Sequence, residues 1–300
     1  MTRKPLVALL GSVPPDLRAG VAADVTLLDA EALAALSDAE RAGIAIGLTS
    51  AMGGARADLL VQLPGLRMIA SVGAGIDTFD FDDLKARGIT LHPTPDVMTE
   101  DTADCAVALT FALLRNVVSN DRFVRSGQWA AARPALGRRL AERRIGIVGL
   151  GRIGGRVADK LAAFGCQISY TGRSKKDVPW AFEADLHALA ASVDVLVLTC
   201  AGGDATRGII DADVLGALGP QGYLVNVSRG SVVQEPALIA ALDSSQIAGA
   251  ALDVFENEPT PDARFLDLPI CILSPHAAVF THENRRDLIA EIKRLLTQSL

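Results

Sequence analysis

The chain has 300 residues, 50% of them hydrophobic and 21% charged, which is too long for one ordinary core and suits two. A net charge of -6 gives no electrostatic basis for nucleic acid or an anionic membrane as partner. No apolar run approaches the roughly 18 residues of a membrane span, and the composition has no disorder bias.

The chain opens with a basic start and an apolar run, Met1–Leu10. The run stops at Gly11, which is short for the core of a secretion signal, and reads as a first buried strand, Leu6–Leu10. Further strands are expected at Val25–Leu28, Ile44–Leu48, Met68–Ser71 and Ile89–Leu91. A second set is expected at Arg144–Val148, Gln167–Thr171, Val193–Leu198, Tyr223–Val227, Ala248–Leu252 and Cys271–Leu273. Helical patterns separate them, so the alternation predicts parallel α/β architecture. The runs are rich in Val, Ile and Leu, as in strands covered on both faces. Between the two sets, Thr102–Val117 is apolar almost all round and predicts a buried helix, placed between domains or at a subunit contact. Asn120–Arg144 is polar and basic, with Trp129 and Pro134, and reads as an arm or long connection. Thr281–Leu300 carries Leu288, Ile289, Ile292, Leu295 and Leu296 on one face of an amphipathic helix. Cys105, Cys166, Cys200 and Cys271 form no CxxC pair, and reduced thiols in a cytoplasmic protein are expected.

The sharpest motif is Gly149-Leu-Gly151-Arg152-Ile153-Gly154, between a buried-strand pattern and a helical one. That context makes a GxGxxG run a dinucleotide cradle. Gly149 permits the tight turn, Gly151 lets a pyrophosphate approach the backbone, and Gly154 lets helix pack on strand. The helix opening at Arg152 and Ile153 offers N–H groups to the anion. An NAD site would place an acid about 20 positions on, to accept from the ribose 2′-OH. Here the next strand ends Thr171-Gly172-Arg173-Ser174-Lys175-Lys176, without an acid. Arg173, Ser174 and Lys175 offer donors and positive charge to a 2′-phosphate, so NADP is expected, with NAD as the alternative.

Four blocks, in order and spacing, carry a resemblance that covers nearly the whole chain: Ser71-Val-Gly-Ala-Gly-Ile-Asp77, the glycine cradle, Val225-Asn-Val-Ser-Arg229-Gly, and Gly249-Ala-Ala-Leu-Asp253-Val-Phe-Glu-Asn-Glu258-Pro with Pro275-His276. The chain resembles the D-isomer-specific 2-hydroxyacid dehydrogenases, particularly their glyoxylate/hydroxypyruvate reductase branch. The resemblance implies catalytic roles for Arg229, Glu258 and His276. It places the substrate carboxylate on the backbone of Val72, Gly73, Ala74 and Gly75. It assigns Asp253 to the nicotinamide amide and sets Thr102, Cys200 and Ser228 along the cofactor groove. The chemistry of these residue types agrees. Reducing a ketone needs a proton donor that works near neutral pH, which histidine is. A carboxylate favours the imidazolium and orients it, and an arginine fork clamps a carboxylate or carbonyl oxygen. Bare N–H groups in a glycine loop form an anion nest.

Two departures stand out. Cys200-Ala201 occupies the place where many relatives have a residue followed by Pro. After His276 the chain reads Ala277-Ala-Val-Phe280 where small-substrate reductases often have x-Gly-Ser, which opens the substrate range to larger or more apolar keto acids such as phenylpyruvate. The resemblance implies two doubly wound domains with a substrate cleft between them: a flavodoxin-like substrate domain, 1–97 with 281–300, and a Rossmann cofactor domain, 98–280. It also implies a homodimer. The expected partners are a 2-keto or 2-hydroxy acid, with no nucleic acid, no membrane and, from ligand spacing, no metal. Two alternatives stay open: a dinucleotide-sensing corepressor-like protein, against which the lack of extra partner-binding tails argues, and a phosphoglycerate dehydrogenase, which lacks here its C-terminal regulatory domain.

Overall fold

The computed structural model describes residues 4–298, so Met1–Arg3 and the Ser299–Leu300 end of the expected last helix lie outside the described residues. Its strands are β1 Leu6–Leu9, β2 Thr26–Leu28, β3 Ile46–Ser50, β4 Met68–Val72, β5 Thr90–Pro93, β6 Arg144–Val148, β7 Gln167–Thr171, β8 Ala181–Phe182, β9 Val195–Leu198, β10 Tyr223–Asn226, β11 Gly249–Leu252 and β12 Cys271–Leu273. The chain divides into two compact units, Met1–Met98 with Phe280–Leu300, and Thr99–Val279.

The first unit holds a five-stranded sheet of order β2-β1-β3-β4-β5, paired in parallel throughout. That is the flavodoxin-like order, whose direction of winding reverses between β1 and β3. The helix His282–Gln298 belongs to this unit and buries Leu288, Ile292, Leu295 and Leu296. It lies so close to the first helix, Pro15–Val21, that a Cβ on Gly20 would stand 2.6 Å from Ile289 Cδ1. Ion pairs Arg285–Asp16 and Lys293–Asp24 flank that contact.

The second unit holds a seven-stranded sheet of order β12-β11-β10-β9-β6-β7-β8. All its pairings are parallel too. Its central strand, β9, reads Val-Leu-Val-Leu with every side chain at 0% exposure. Helices cover both faces, which is why its apolar residues are consecutive rather than alternating; each such burial contributes about 1.5–3 kcal/mol. The order reverses between β6 and β9, the place where open α/β sheets form a ligand crevice. The two-residue edge strand β8 has no sequence signal of its own and exists by pairing with β7.

Between β5 and β6 the structure corrects the sequence reading. The expected helix Thr102–Val117 runs instead over Pro95–Leu114, opening on a proline, which suits a first turn. Ala103, Ala106, Leu109, Leu113 and Leu114 pack with Ile145, Ile147, Val195 and Val197 under the seven-stranded sheet, while Asp104 and Ala108 are exposed. Asn116 adopts a left-handed conformation (φ 53°) and ends the helix, a role Asn tolerates better than most residues. A second helix, Val117–Arg125, comes next at a 56° bend. The first part of the expected arm is therefore helical. Its amphipathic pattern is short and its apolar residues Val117 and Val124 are exposed, so no core-facing stripe announces it. The remainder, from Ser126 to Arg139, is exposed throughout, with Trp129 at 62% and Leu136 at 96%. Among the described residues no single helix is long and apolar enough to cross a membrane.

Candidate active site

The glycine cradle comes directly after β6. Gly149 has φ 93°, and a Cβ there would lie 2.5 Å from Cys200 Cα, just beyond the end of β9. A Cβ on Gly154 would meet the Gly149 carbonyl oxygen at 2.3 Å and Thr199 Oγ1 at 2.7 Å. Both positions admit only glycine, one for conformation and packing and the other for packing alone. Gly151 differs, since a Cβ there would meet nothing within 4 Å. Its openness is the kind a pyrophosphate needs, at the mouth of the twelve-residue helix Arg152–Ala163. The residues present therefore fit a dinucleotide.

β7 runs beside β6, and the Gly149 N–H donates to the Thr171 carbonyl at 2.9 Å. The basic turn Gly172–Lys176 after β7 is exposed. Its far end is pinned by the Lys176 N–H, which donates to the Tyr170 hydroxyl at 2.6 Å. Arg173, Ser174 and Lys175 thus stand in solvent at the tip of the strand next to the cradle, with no carboxylate before Asp177.

The candidate chemistry gathers at the ends of β10, β11 and β12. After β10, the Asn226 side chain accepts from Ser228 N at 3.0 Å and Ser228 Oγ at 2.8 Å, and donates to the Arg229 carbonyl at 3.0 Å. This local Asx-type turn sets the direction of Arg229. Arg229 donates to the Ser228 carbonyl at 2.8 Å. Gly230 lies against the loop after β11 so closely that a Cβ would stand 1.8 Å from the Phe255 carbonyl carbon. That contact holds the Arg229 segment beside the segment bearing Glu258.

Glu258 Oε1 accepts from Phe255 N at 2.9 Å, and its Oε2 lies 2.7 Å from His276 Nδ1. Burial pushes the Glu258 carboxyl up. The His276 hydrogen bond, the Phe255 N–H and the charges of His276 and Arg229 more than offset this and hold it below its ordinary value. An ionised carboxylate only accepts, so Nδ1 carries the hydrogen of this contact. His276 itself has φ 53°, a conformation rare for a non-glycine residue. Asp253 enforces it. Its carbonyl accepts from His276 N at 2.8 Å, and its carboxylate accepts from Ala277 N at 2.9 Å, Ala278 N at 3.1 Å and the Ser274 hydroxyl. Asp253 is 1% exposed, so in this structure its carboxylate is committed to the histidine loop.

The sequence reading singles out Arg229, Glu258, His276, Asp253 and Ser228, and the structure brings them together. Cys200 joins them through the Ser228 hydroxyl; burial first, only partly offset by that bond and its own backbone, pushes its thiol up to about 11. Thr102 is buried on the helix Pro95–Leu114. The Val72–Gly75 segment belongs to the other unit. There Gly73 has φ 123°, and its N–H donates to Thr94 Oγ1 at 3.0 Å. Sequence reasoning misses Asn226, Gly230 and Ser274; an Asn two residues before Ser and a Gly after the arginine are the available signals. It also misses a surface group, His187, Asp211 and Asp213, whose ligand atoms lie within 4.8 Å of one another. Asp211 already caps the helix Ala212–Leu218.

Comparison with known proteins matches residues 107–278 to the family described as D-isomer specific 2-hydroxyacid dehydrogenase, NAD binding domain. A 2-ketogluconate reductase of Gluconobacter oxydans is 43% identical over 241 residues, 80% of this chain and 78% of that protein. A solved 2-hydroxyacid dehydrogenase from Ketogulonicigenium vulgare is 40% identical, with a TM-score of 0.90 over 99% of this chain and 95% of that one. A solved NADPH-dependent glyoxylate/hydroxypyruvate reductase from Sinorhizobium meliloti, in complex with NADP and malonate, is 34% identical. Its TM-score is 0.88 over 97% of this chain and 92% of that one.

Proposed function

This chain belongs to the D-isomer specific 2-hydroxyacid dehydrogenase family, and we propose that it reduces a 2-keto acid to the D-2-hydroxy acid, with NADPH preferred over NADH. The observation that carries the reading is the 2.7 Å contact between Glu258 and His276 Nδ1, which leaves Nε2 to face a substrate. When bound, the reduced nicotinamide supplies the hydride to the keto carbon. His276 delivers its Nε2 proton to the carbonyl oxygen, and Glu258 fixes the orientation of the ring through Nδ1. Arg229 clamps the substrate carboxylate or carbonyl oxygen. Gly149, Gly151, Arg152, Ile153 and Gly154 hold the pyrophosphate; Thr102, Cys200 and Ser228 complete the cofactor groove, and Asp253 ties down the histidine loop beside it.

NADPH preference is supported by the exposed Arg173-Ser174-Lys175 turn after β7 and by the absence of an acid there. Residues 98–280 serve as the cofactor domain and 1–97 with 281–300 as the substrate domain, whose Val72, Gly73, Ala74 and Gly75 backbone receives the substrate carboxylate. Ala277–Phe280, standing where small-substrate reductases often have x-Gly-Ser, extends the candidate substrates from glyoxylate and hydroxypyruvate to larger or more apolar keto acids. The exposed apolar residues Trp129 and Leu136 support a homodimer contact on the segment 126–139, and the free thiols support a cytoplasmic location.

The test is steady-state kinetics with glyoxylate, hydroxypyruvate, pyruvate and phenylpyruvate, each with NADPH and NADH. Turnover of at least one keto acid, with higher kcat/KM for NADPH, is expected. No turnover overturns the assignment; equal or better kcat/KM with NADH overturns the cofactor preference alone.

A further inference from the structure

Glu235 opens the helix Glu235–Asp243, yet its side chain does not face solvent as first-turn acids usually do: it is 4% exposed. Its Oε1 accepts from Glu256 N at 2.7 Å. The next backbone N–H towards the strand, that of Phe255, donates to Glu258, and Glu258 holds His276. A buried carboxylate of one element therefore fixes the turn from which the catalytic pair hangs. Resting on the proton-donor reading above, we propose that Glu235 is a positioning residue for proton delivery, holding the Phe255–Glu258 turn so that Glu258 keeps His276 in register.

The surroundings of Glu235 support this. Gly230, five residues before it, is pressed backbone to backbone on Phe255 and Glu256, so the turn is clamped from both sides. Glu235 lies in an acidic neighbourhood of Glu256, Asp262 and Glu258, and burial first, then repulsion from these groups, raises its pKa against the help of the Glu256 N–H. A group kept in so unfavourable a place needs a local reason, and the Glu256 N–H is the partner the structure shows. Arg264 pairs with Asp262, while the groups acting on Glu258 are His276 and Arg229.

The test compares Glu235→Gln, which keeps a carbonyl acceptor of the same length, with Glu235→Leu, which has none, and Glu235→Asp, which keeps the charge but falls a methylene short. Leu and Asp are expected to lower kcat about ten- to a hundredfold, leave the NADPH Kd and keto-acid KM within about twofold, and increase the solvent deuterium isotope effect. Gln is expected to restore kcat to within about threefold of wild type. A readout independent of turnover is the proton NMR of the ligand-free protein. The downfield His276 Nδ1–H resonance, one of only four histidines to assign, should broaden or shift upfield in Leu and Asp and persist in Gln. Should Glu235→Leu fail to fold, Glu235→Asp carries the same comparison. A wild-type kcat, isotope effect and resonance in Leu or Asp overturns the proposal, as does a Gln variant no better than Leu. Full activity in His276→Asn would instead overturn the proton-donor reading, leaving the two failures distinct.

Discussion

Each unit carries a glycine at positive φ directly after a parallel strand, Gly149 after β6 and Gly73 after β4, but the chain beyond the turn differs between them. The Gly149 turn runs at once into a twelve-residue helix, whose dipole and first-turn N–H groups suit a doubly charged pyrophosphate. After Gly73 the next helix is the six-residue Phe81–Ala86, so that turn has only local N–H groups, one already given to Thr94. A strand-to-helix junction can hold a large anion; a bare loop suits a single carboxylate. On the proposed reading, the same residue type at the same fold position would give sites of different strength, decided by the element behind it.

The largest expected effects break this comparison most directly. Gly149→Ala forces a Cβ to 2.5 Å from Cys200 backbone, and the expected result is loss of NADPH binding by fluorescence titration or loss of soluble folded protein. His276→Asn should cost about 10²–10⁴ in kcat while NADPH still binds. Gly73→Ala meets only the Ala51 side chain, at 2.7 Å, though at strained φ. It should raise the keto-acid KM about tenfold, an effect of about 1.4 kcal/mol, with the NADPH Kd unchanged. Weakened NADPH binding in Gly73→Ala would erase the division of labour between the turns.

Smaller effects sharpen it. Arg173→Ala with Lys175→Ala should lower kcat/KM for NADPH by roughly ten- to a hundredfold, the worth of about 1.5–3 kcal/mol of charged hydrogen bonding, and leave NADH within about twofold. Smallest is a stability effect with opposite signs at two carboxylates of the second unit. The depressed Glu258 pKa contributes stability above the ordinary carboxylate range that is lost as pH falls through the folded value. The raised Glu235 pKa works the other way: the folded state is favoured while Glu235 is protonated and penalised as pH rises through that value. At pH 7, Glu258→Gln should therefore lower Tm and Glu235→Gln raise it, by about 2–4 °C for each kcal/mol of difference. Both differences should shrink in acid. Equal shifts of one sign in thermal melts would contradict the electrostatic account.

How much can be read from the sequence depends on how local the physics is. The parallel sheets are legible because consecutive Val, Ile and Leu residues mean burial on both faces, and strand starts shift only by one or two residues, as at Thr26 and Ile46. The cradle is legible because its three glycines answer three local demands, a positive φ at Gly149, open space at Gly151 and close packing at Gly154. Arg229, Glu258 and His276 are legible only as parts of matched blocks, since a lone arginine, acid or histidine has no local signature. The second helix, Val117–Arg125, is hidden because it is short and leaves Val117 and Val124 exposed, so no core-facing stripe marks it. Glu235 is hidden for another reason: at a helix start an acid is ordinary, and only tertiary structure shows it turned inward.

The left-handed backbone of His276 also bears on how this site can drift. At φ 53° the residues that sit without much strain are Gly, Asn, Asp and His itself. Of these, histidine is the one that holds and releases a proton near neutral pH. Tyrosine, lysine or cysteine, which serve as acids elsewhere, would have to arrive with a backbone change in the loop that Asp253 ties down through four hydrogen bonds. Single substitutions therefore silence this position more readily than they retune it, so if His276 is the proton donor, as proposed, new substrate preferences have an easier route through other side chains.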